Sequence, residues 1–104
     1  MDSSDAARNS VKEILSILTS LKPEIRQRYK AEVKGIFGSY VRGEQKSGSD
    51  IDVLVEFDEG ANLLDLTGLS IFLEGKLHRR VDVVPESAIR HELKDSILKE
   101  AAYL

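Results

Sequence analysis

There is no cysteine among the 104 residues, which removes disulfides and thiolate metal sites from consideration. Long apolar runs are also missing. The longest stretch nearly free of charge, Gly60 to Leu73, is interrupted by Asp65 and is too short to span a bilayer. The N-terminal MDSSDAARNS lacks the apolar segment of a signal peptide. No internal repeat or low-complexity segment is visible. These absences predict a cytoplasmic protein with no membrane partner. Positive charge is in short supply too: 15 Lys and Arg face 18 Asp and Glu, for a net charge of −3. That balance disfavours broad nucleic-acid binding, which depends on neutralising several phosphates.

What is present is a globular composition, 41% hydrophobic and 32% charged, well away from that of disordered chains. The length predicts a single domain, 1–104, with residues 1–10 polar and flexible up to a helix cap near Ser10. Val11, Ile14, Leu15, Leu18 and Leu21 then fall at helical spacing. Thr19, Ser20 and Pro23 are expected to interrupt that helix, with Pro23 opening a second short one that carries Ile25 and Tyr29. Val33 to Phe37 reads as a strand in which Gly35 permits close approach of backbone or ligand. Ser39 to Glu44 reads as one helical turn ended by Gly43, and Gln45 to Ser49 as a polar loop.

Ile51 to Phe57 is rich in Val, Ile and Phe and reads as a largely buried strand. Asn62 can cap a long helix with the stripe Leu63, Leu64, Leu66, Leu69, Phe72, Leu73 and Leu77. His78, Arg79 and Arg80 close it, where the helix dipole favours positive charge. Val81 to Val84 is a further strand stopped by Pro85, and a last helix is expected from about Glu86 to Ala102. The result is an α/β domain of α+β-like layout, with a small mixed sheet of three to four strands and about four helices. So little material leaves a sheet face or edge poorly covered, and an uncovered apolar patch marks a partner site.

The chemistry concentrates between Gly38 and Val55, GSYVRGEQKSGSDIDVLV. Alternate residues on a strand share a face about 6.6 Å apart, so Asp50 and Asp52 aim two carboxylates at one spot. Their repulsion at an effective dielectric near 20 is on the order of 2–3 kcal/mol. A hard cation turns that repulsion into binding, since magnesium favours carboxylate oxygens plus substrate phosphates. Asp82, flanked by Val81, Val83 and Val84, is a third acid whose place in an apolar strand is costly unless it is paired or metal-bound. If strand 81–84 lies beside strand 51–56, the three carboxylates converge. Gly38 and Ser39, between a strand and a helical turn, offer backbone N–H groups and a hydroxyl to phosphate. Arg42 either reaches a phosphate with its planar fork or forms a surface ion pair with Glu44 or Asp50. His78 and His91 are isolated and read as surface residues.

In combination, Gly38-Ser39, the Arg42-Gly43 pair, Ser49-Asp50-x-Asp52 and the later Asp82 in VDVV resemble the minimal nucleotidyltransferase family of the DNA polymerase beta superfamily. The closing LKDSILKEAAYL is similar to that family's C-terminus. The resemblance implies magnesium-dependent transfer of AMP from ATP, with release of pyrophosphate. It assigns Asp50, Asp52 and Asp82 to two Mg²⁺ ions, with Asp82 also helping to deprotonate the acceptor, and Gly38 and Ser39 to the triphosphate. It further implies an antitoxin role in which the acceptor is a tyrosine of a HEPN-domain toxin. Lys76, Arg79, Arg80, Tyr103 and Leu104 either belong to that partner contact or, for the basic cluster, simply serve the helix end. Two alternatives stand beside this reading: neutralisation by binding alone, and transfer to a small molecule or RNA end, the former of these acceptors needing a pocket that so short a chain builds as a homo-oligomer.

Overall fold

The computed structural model describes residues 3–104, with side chains from Val11 onward. Helix α1 spans Ser3–Tyr29, followed by β1 (Ala31–Phe37), the short α2 (Ser39–Arg42), β2 (Ile51–Phe57), α3 (Leu63–Leu77) and β3 (Val81–Pro85). A 3₁₀ turn at Glu86–Ala88, helix α4 (His91–Glu100) and strand β4 (Ala102–Tyr103) complete the order. The strands form one sheet, β3-β2-β1-β4. β1 is antiparallel to both β2 and β4, whereas β2 and β3 run parallel, so the sheet is mixed as expected. Among the described residues no helix is long and apolar enough to cross a membrane.

Helices α1 and α3 pack on one face of the sheet and on each other. Leu18 and Ile25 of α1, Leu69 and Leu73 of α3, and Val33, Ile36, Ile51, Val53 and Val55 of the strands are almost fully buried in this layer. β1 keeps both Val33 and Ile36 on the core side only because its register against β2 shifts between Val33 and Gly35. One extra residue reverses the alternation, as a bulge must. Downstream of it, Gly35 and Phe37 share the opposite face with Leu54 and Asp52, their partners on β2.

Three expectations need correction. Residues 11–29 are not two helices, and the helix does not start at a cap near Ser10: α1 is continuous from Ser3, with Pro23 inside it. An interior proline costs about 3 kcal/mol, yet the stripe Ile14, Leu18, Leu21 and Ile25 runs straight through it. Breaking the helix would forfeit burial of Leu18 or Ile25, worth about 1.5–3 kcal/mol each. The α3 stripe is narrower than its seven apolar residues: Leu63 and Leu64 are 76% and 81% exposed, while Leu66, Phe72 and Leu77 pack against the core. Its cap is as expected, with Asn62 accepting from the N–H groups of Leu64 and Asp65 while Asp65 accepts from that of Asn62.

The last helix is shorter than Glu86–Ala102. It starts at His91 after the 3₁₀ turn and ends where Ala101 becomes extended. Ala102 and Tyr103 then pair with Ile36 and Gly35, and the Leu104 N–H donates to the Lys34 carbonyl at 3.0 Å. The approach is close enough that a Cβ on Gly35 would collide with the Ala102 carbonyl oxygen. Gly35→Ala should therefore push β4 off the sheet and lose about 1–3 kcal/mol of stability. Urea unfolding and the amide exchange of Leu104 measure both effects.

Candidate active site

The site lies on the sheet face opposite the α1–α3 layer, at the end where β2 and β3 begin. Ser49 sets the approach. Its N–H donates to the Lys46 carbonyl at 2.9 Å and its hydroxyl accepts the Lys46 N–H at 2.8 Å, closing the loop just before Asp50. The Ile51 N–H then donates to the Arg80 carbonyl, which starts the β2–β3 pairing. β3 is anchored from α3 as well, because Glu74 Oε2 accepts the Val81 N–H at 3.0 Å. In the resulting register Asp52 stands beside Asp82. Partners in adjacent strands lie about 4.8 Å apart with side chains on one face.

Alternation puts Ile51 and Val53 into the core and Asp52 out of it, and it does the same for Val81, Val83 and Asp82. Asp52 and Asp82 thus share one end of one face, whereas Asp50 precedes the paired register, so the expected convergence of three carboxylates is seen for two. Asp82 is exposed, however, so it escapes the burial cost expected for a charge among valines: the edge position of β3 leaves that face open to water. Burial first, then the charges of Asp82 and Asp50, push the Asp52 carboxyl up to about 6; Arg42 pulls it down and Glu100 adds to the rise. Asp50 also accepts a 3.2 Å ion pair from Arg80 Nε. Among the described residues no three His, Asp or Glu side chains are drawn together into a finished metal cage. The donor set nevertheless suits a hard divalent cation. All its candidate donors are carboxylate oxygens, and the charges of Asp82 and Asp50, second to burial in raising the Asp52 carboxyl, are a repulsion that such a cation would relieve.

Gly38 closes the site from the β1 side. Its φ of 86° and ψ of −152° lie in a region open essentially to glycine alone. A Cβ there would collide with Oδ2 of Asp52, so the turn backs directly onto the carboxylate. The Gly38 carbonyl accepts from Val41 and Arg42 to start α2, and Gly43, with φ 73°, ends it. Arg42 donates to Glu44 through Nε at 2.9 Å, the surface pair foreseen as one of its two readings.

A further partner was not foreseen. Glu100, at the end of α4, accepts the Gly38 N–H at 3.1 Å and two bonds from Arg42 Nη1, at 3.1 and 3.2 Å. Glu44 and then Glu100 hold Arg42 still more firmly protonated than a free guanidinium. Nothing in local spacing marks Glu100, since its contact with Gly38 bridges 62 positions. His78 and His91 are exposed, as expected of surface residues. Of the basic cluster, Lys76 sits 5.5 Å from the Phe72 ring centroid and Arg80 serves Asp50.

Residues 18–104 match the nucleotidyltransferase domain family. The chain belongs to the minimal nucleotidyltransferases. It is 43% identical over 95 residues to the protein adenylyltransferase MntA of Thermococcus cleftensis, covering 91% of this chain and 96% of that one. A solved structure described as a minimal nucleotidyltransferase superposes with a TM-score of 0.69 at 39% identity, over 86% of this chain and 95% of the other. A crystallised toxin–antitoxin with AMP-PNP shares the fold, with a TM-score of 0.63 at 23% identity, over 78% of this chain and 67% of that one. The enzyme class is therefore nucleotidyl transfer, on a mixed sheet flanked by helices.

The raised carboxyl of Asp52 gives a signed prediction for this nucleotidyltransferase. The folded state takes up a proton near pH 6 that the unfolded chain takes up only near 4. Asp52 therefore costs stability as pH rises through 6, and the penalty vanishes below about pH 4. Allowing for solvent screening of a half-buried group, Asp52→Asn should gain about 1 kcal/mol at pH 7.5 and nothing near pH 4. Thermal unfolding in EDTA, followed by circular dichroism at both pH values, checks the sign.

Proposed function

We propose that this nucleotidyltransferase transfers AMP from ATP to a tyrosine hydroxyl of a partner toxin of the HEPN class, in the cytoplasm, and thereby acts as its antitoxin. The observation that supports it most is the juxtaposition of Asp52 with Asp82 on one side and Gly38 on the other. Acids suited to cations and a turn suited to phosphate adjoin each other. The adenylyl group is the one named for the Thermococcus relative, and a toxin partner is the setting of the AMP-PNP complex that shares this fold.

In this reading Asp50, Asp52 and Asp82 hold magnesium, which when bound supplies positive charge against the attacking and leaving oxygens of an in-line displacement. Ser39 and Arg42 hold the triphosphate so that its α-phosphorus faces the acceptor, while Gly38, whose N–H is taken by Glu100, shapes the turn that presents them. The acceptor oxygen forms a bond to that phosphorus while the bond to the bridging oxygen of the β-phosphate breaks, releasing pyrophosphate. Asp82 is the most accessible of the three acids and is suited to receive the hydroxyl proton. Two pockets of about 270 and 330 Å³ lie away from the site, toward the far end of β2 around Phe57 and Ser87. An acceptor presented by another protein needs neither.

Incubation with ATP, magnesium and the toxin should add whole AMP units to the toxin, read by intact mass. The Asp50→Asn, Asp52→Asn variant should be slower by at least about 100-fold, the scale of losing transition-state charge stabilisation. Undiminished transfer by the variant would remove these acids from the mechanism. If the variant instead transfers nothing yet still protects cells from the toxin, neutralisation is by contact alone.

Metal binding has its own readout. Magnesium at tenfold its dissociation constant stabilises a binding-competent fold by about 1.4 kcal/mol. Melting curves at pH 7.5 should rise by several degrees for the wild type and stay fixed for the double Asn variant.

A further inference from the structure

Resting on the proposed nucleotide site, the geometry points to Glu100 as a positioning residue for the triphosphate, acting through Arg42 and the amide of Gly38. One carboxylate accepts the Gly38 N–H and both bonds from Arg42 Nη1. Glu44 accepts from Arg42 Nε on another side. The guanidinium is thus gripped on two of its nitrogens. Neither Glu44 nor Glu100 takes Nη2, which leaves that edge of the fork for a phosphate oxygen. A planar fork fixed beforehand loses less freedom when it binds an anion than a free surface arginine does.

The mount of Glu100 is what makes it effective. It ends α4, and two residues later Ala102 is already paired with Ile36 on β1. Tyr103 adds a 2.6 Å bond from its hydroxyl to the Leu98 carbonyl, and the chain passes so close to Gly35 that no Cβ fits there. The Glu100 backbone is therefore tied to the sheet that carries the Gly38 turn. Its carboxylate, about one-quarter exposed at 28%, reaches the turn from a fixed base. A side chain serving only as a surface ion pair would have no reason to take the first amide of the turn as well.

Substitution separates this role from two others. Glu100→Gln keeps an acceptor for Gly38 but loses the charge that holds Arg42, whereas Glu100→Ala loses both. Fluorescent ATP titrated into the full chain with magnesium should bind about threefold more weakly to Glu100→Gln and about tenfold more weakly to Glu100→Ala, the scale of one charge-assisted hydrogen bond. Adding Glu100→Gln to Arg42→Ala should weaken binding no further than Arg42→Ala alone, whereas adding Glu100→Ala should cost only the part carried by the Gly38 amide, about threefold. Circular dichroism melting identifies any variant that is not folded, and Glu100→Gln, which preserves shape, carries the test in that case.

Tighter nucleotide binding by Glu100→Gln would overturn the inference, because the carboxylate would then be competing with phosphate. Unchanged binding would overturn it too, as would a Glu100→Gln loss that simply adds to that of Arg42→Ala. Should the wild type itself bind no ATP with magnesium, the nucleotide reading falls, and this inference with it.

Discussion

Asp52 stands beside Asp82, feels the charge of Asp50 as well, and lies against the backbone of Gly38, on a strand whose flanking residues Ile51 and Val53 are buried in the core. Like charges so placed repel, and the fold holds them there because Ile51, Val53 and Val55 on one strand and Val81 and Val83 on the next must face the helices. A one-residue slip of β2 against β3 would turn Asp52 inward and every valine outward. The core therefore dictates the carboxylate geometry, and the energy of burying apolar side chains maintains an arrangement that electrostatics alone would disperse. Regions strained in this way are where enzymes keep their reactive groups.

Much of this was legible in the residues themselves. The strand rich in Val, Ile and Phe, the acids at its mouth and the Asn62 cap are local signals, readable within a few positions. What escaped reading depended on distant partners. Pro23 looks like a break until Leu18 and Ile25 are both seen buried against the sheet. The closing residues look like the end of a helix until β1 offers an edge for Ala102 and Tyr103. Glu100 looks like one more surface acid until Gly38 and Arg42 are found beside it. The bulge in β1 was hidden as well, since Val33 and Ile36 have a spacing that no regular strand can bury on one side. Only the pairing with β2 reveals the extra residue.

The two faces of the sheet divide the work. One is apolar, covered by α1 and α3, and supplies the stability of the molecule. The other carries Asp52, Asp82 and the glycine turn, with Leu54 beneath as its fully buried apolar residue. Such a division explains how a chain with a modest core can keep a cluster of acids: Asp82 sits where water still reaches, Asp52 is only partly desolvated, and the fully buried positions hold hydrocarbon. It also explains why glycine occurs where β1 ends. At Gly38 a side chain would have to occupy the space of the Asp52 carboxylate, and no other residue leaves both the turn and the acid in place.

β3 is the outermost strand on its side of the sheet, with backbone groups along one border that have no neighbouring strand. Strands of this kind, rich in valine, are templates for joining a second chain into a growing cross-β stack. Asp82, the second residue, and Pro85, the last, interrupt that template, one with charge and the other with a missing N–H. The acid proposed for transfer chemistry is thus also the charge that breaks the apolar run of an edge strand.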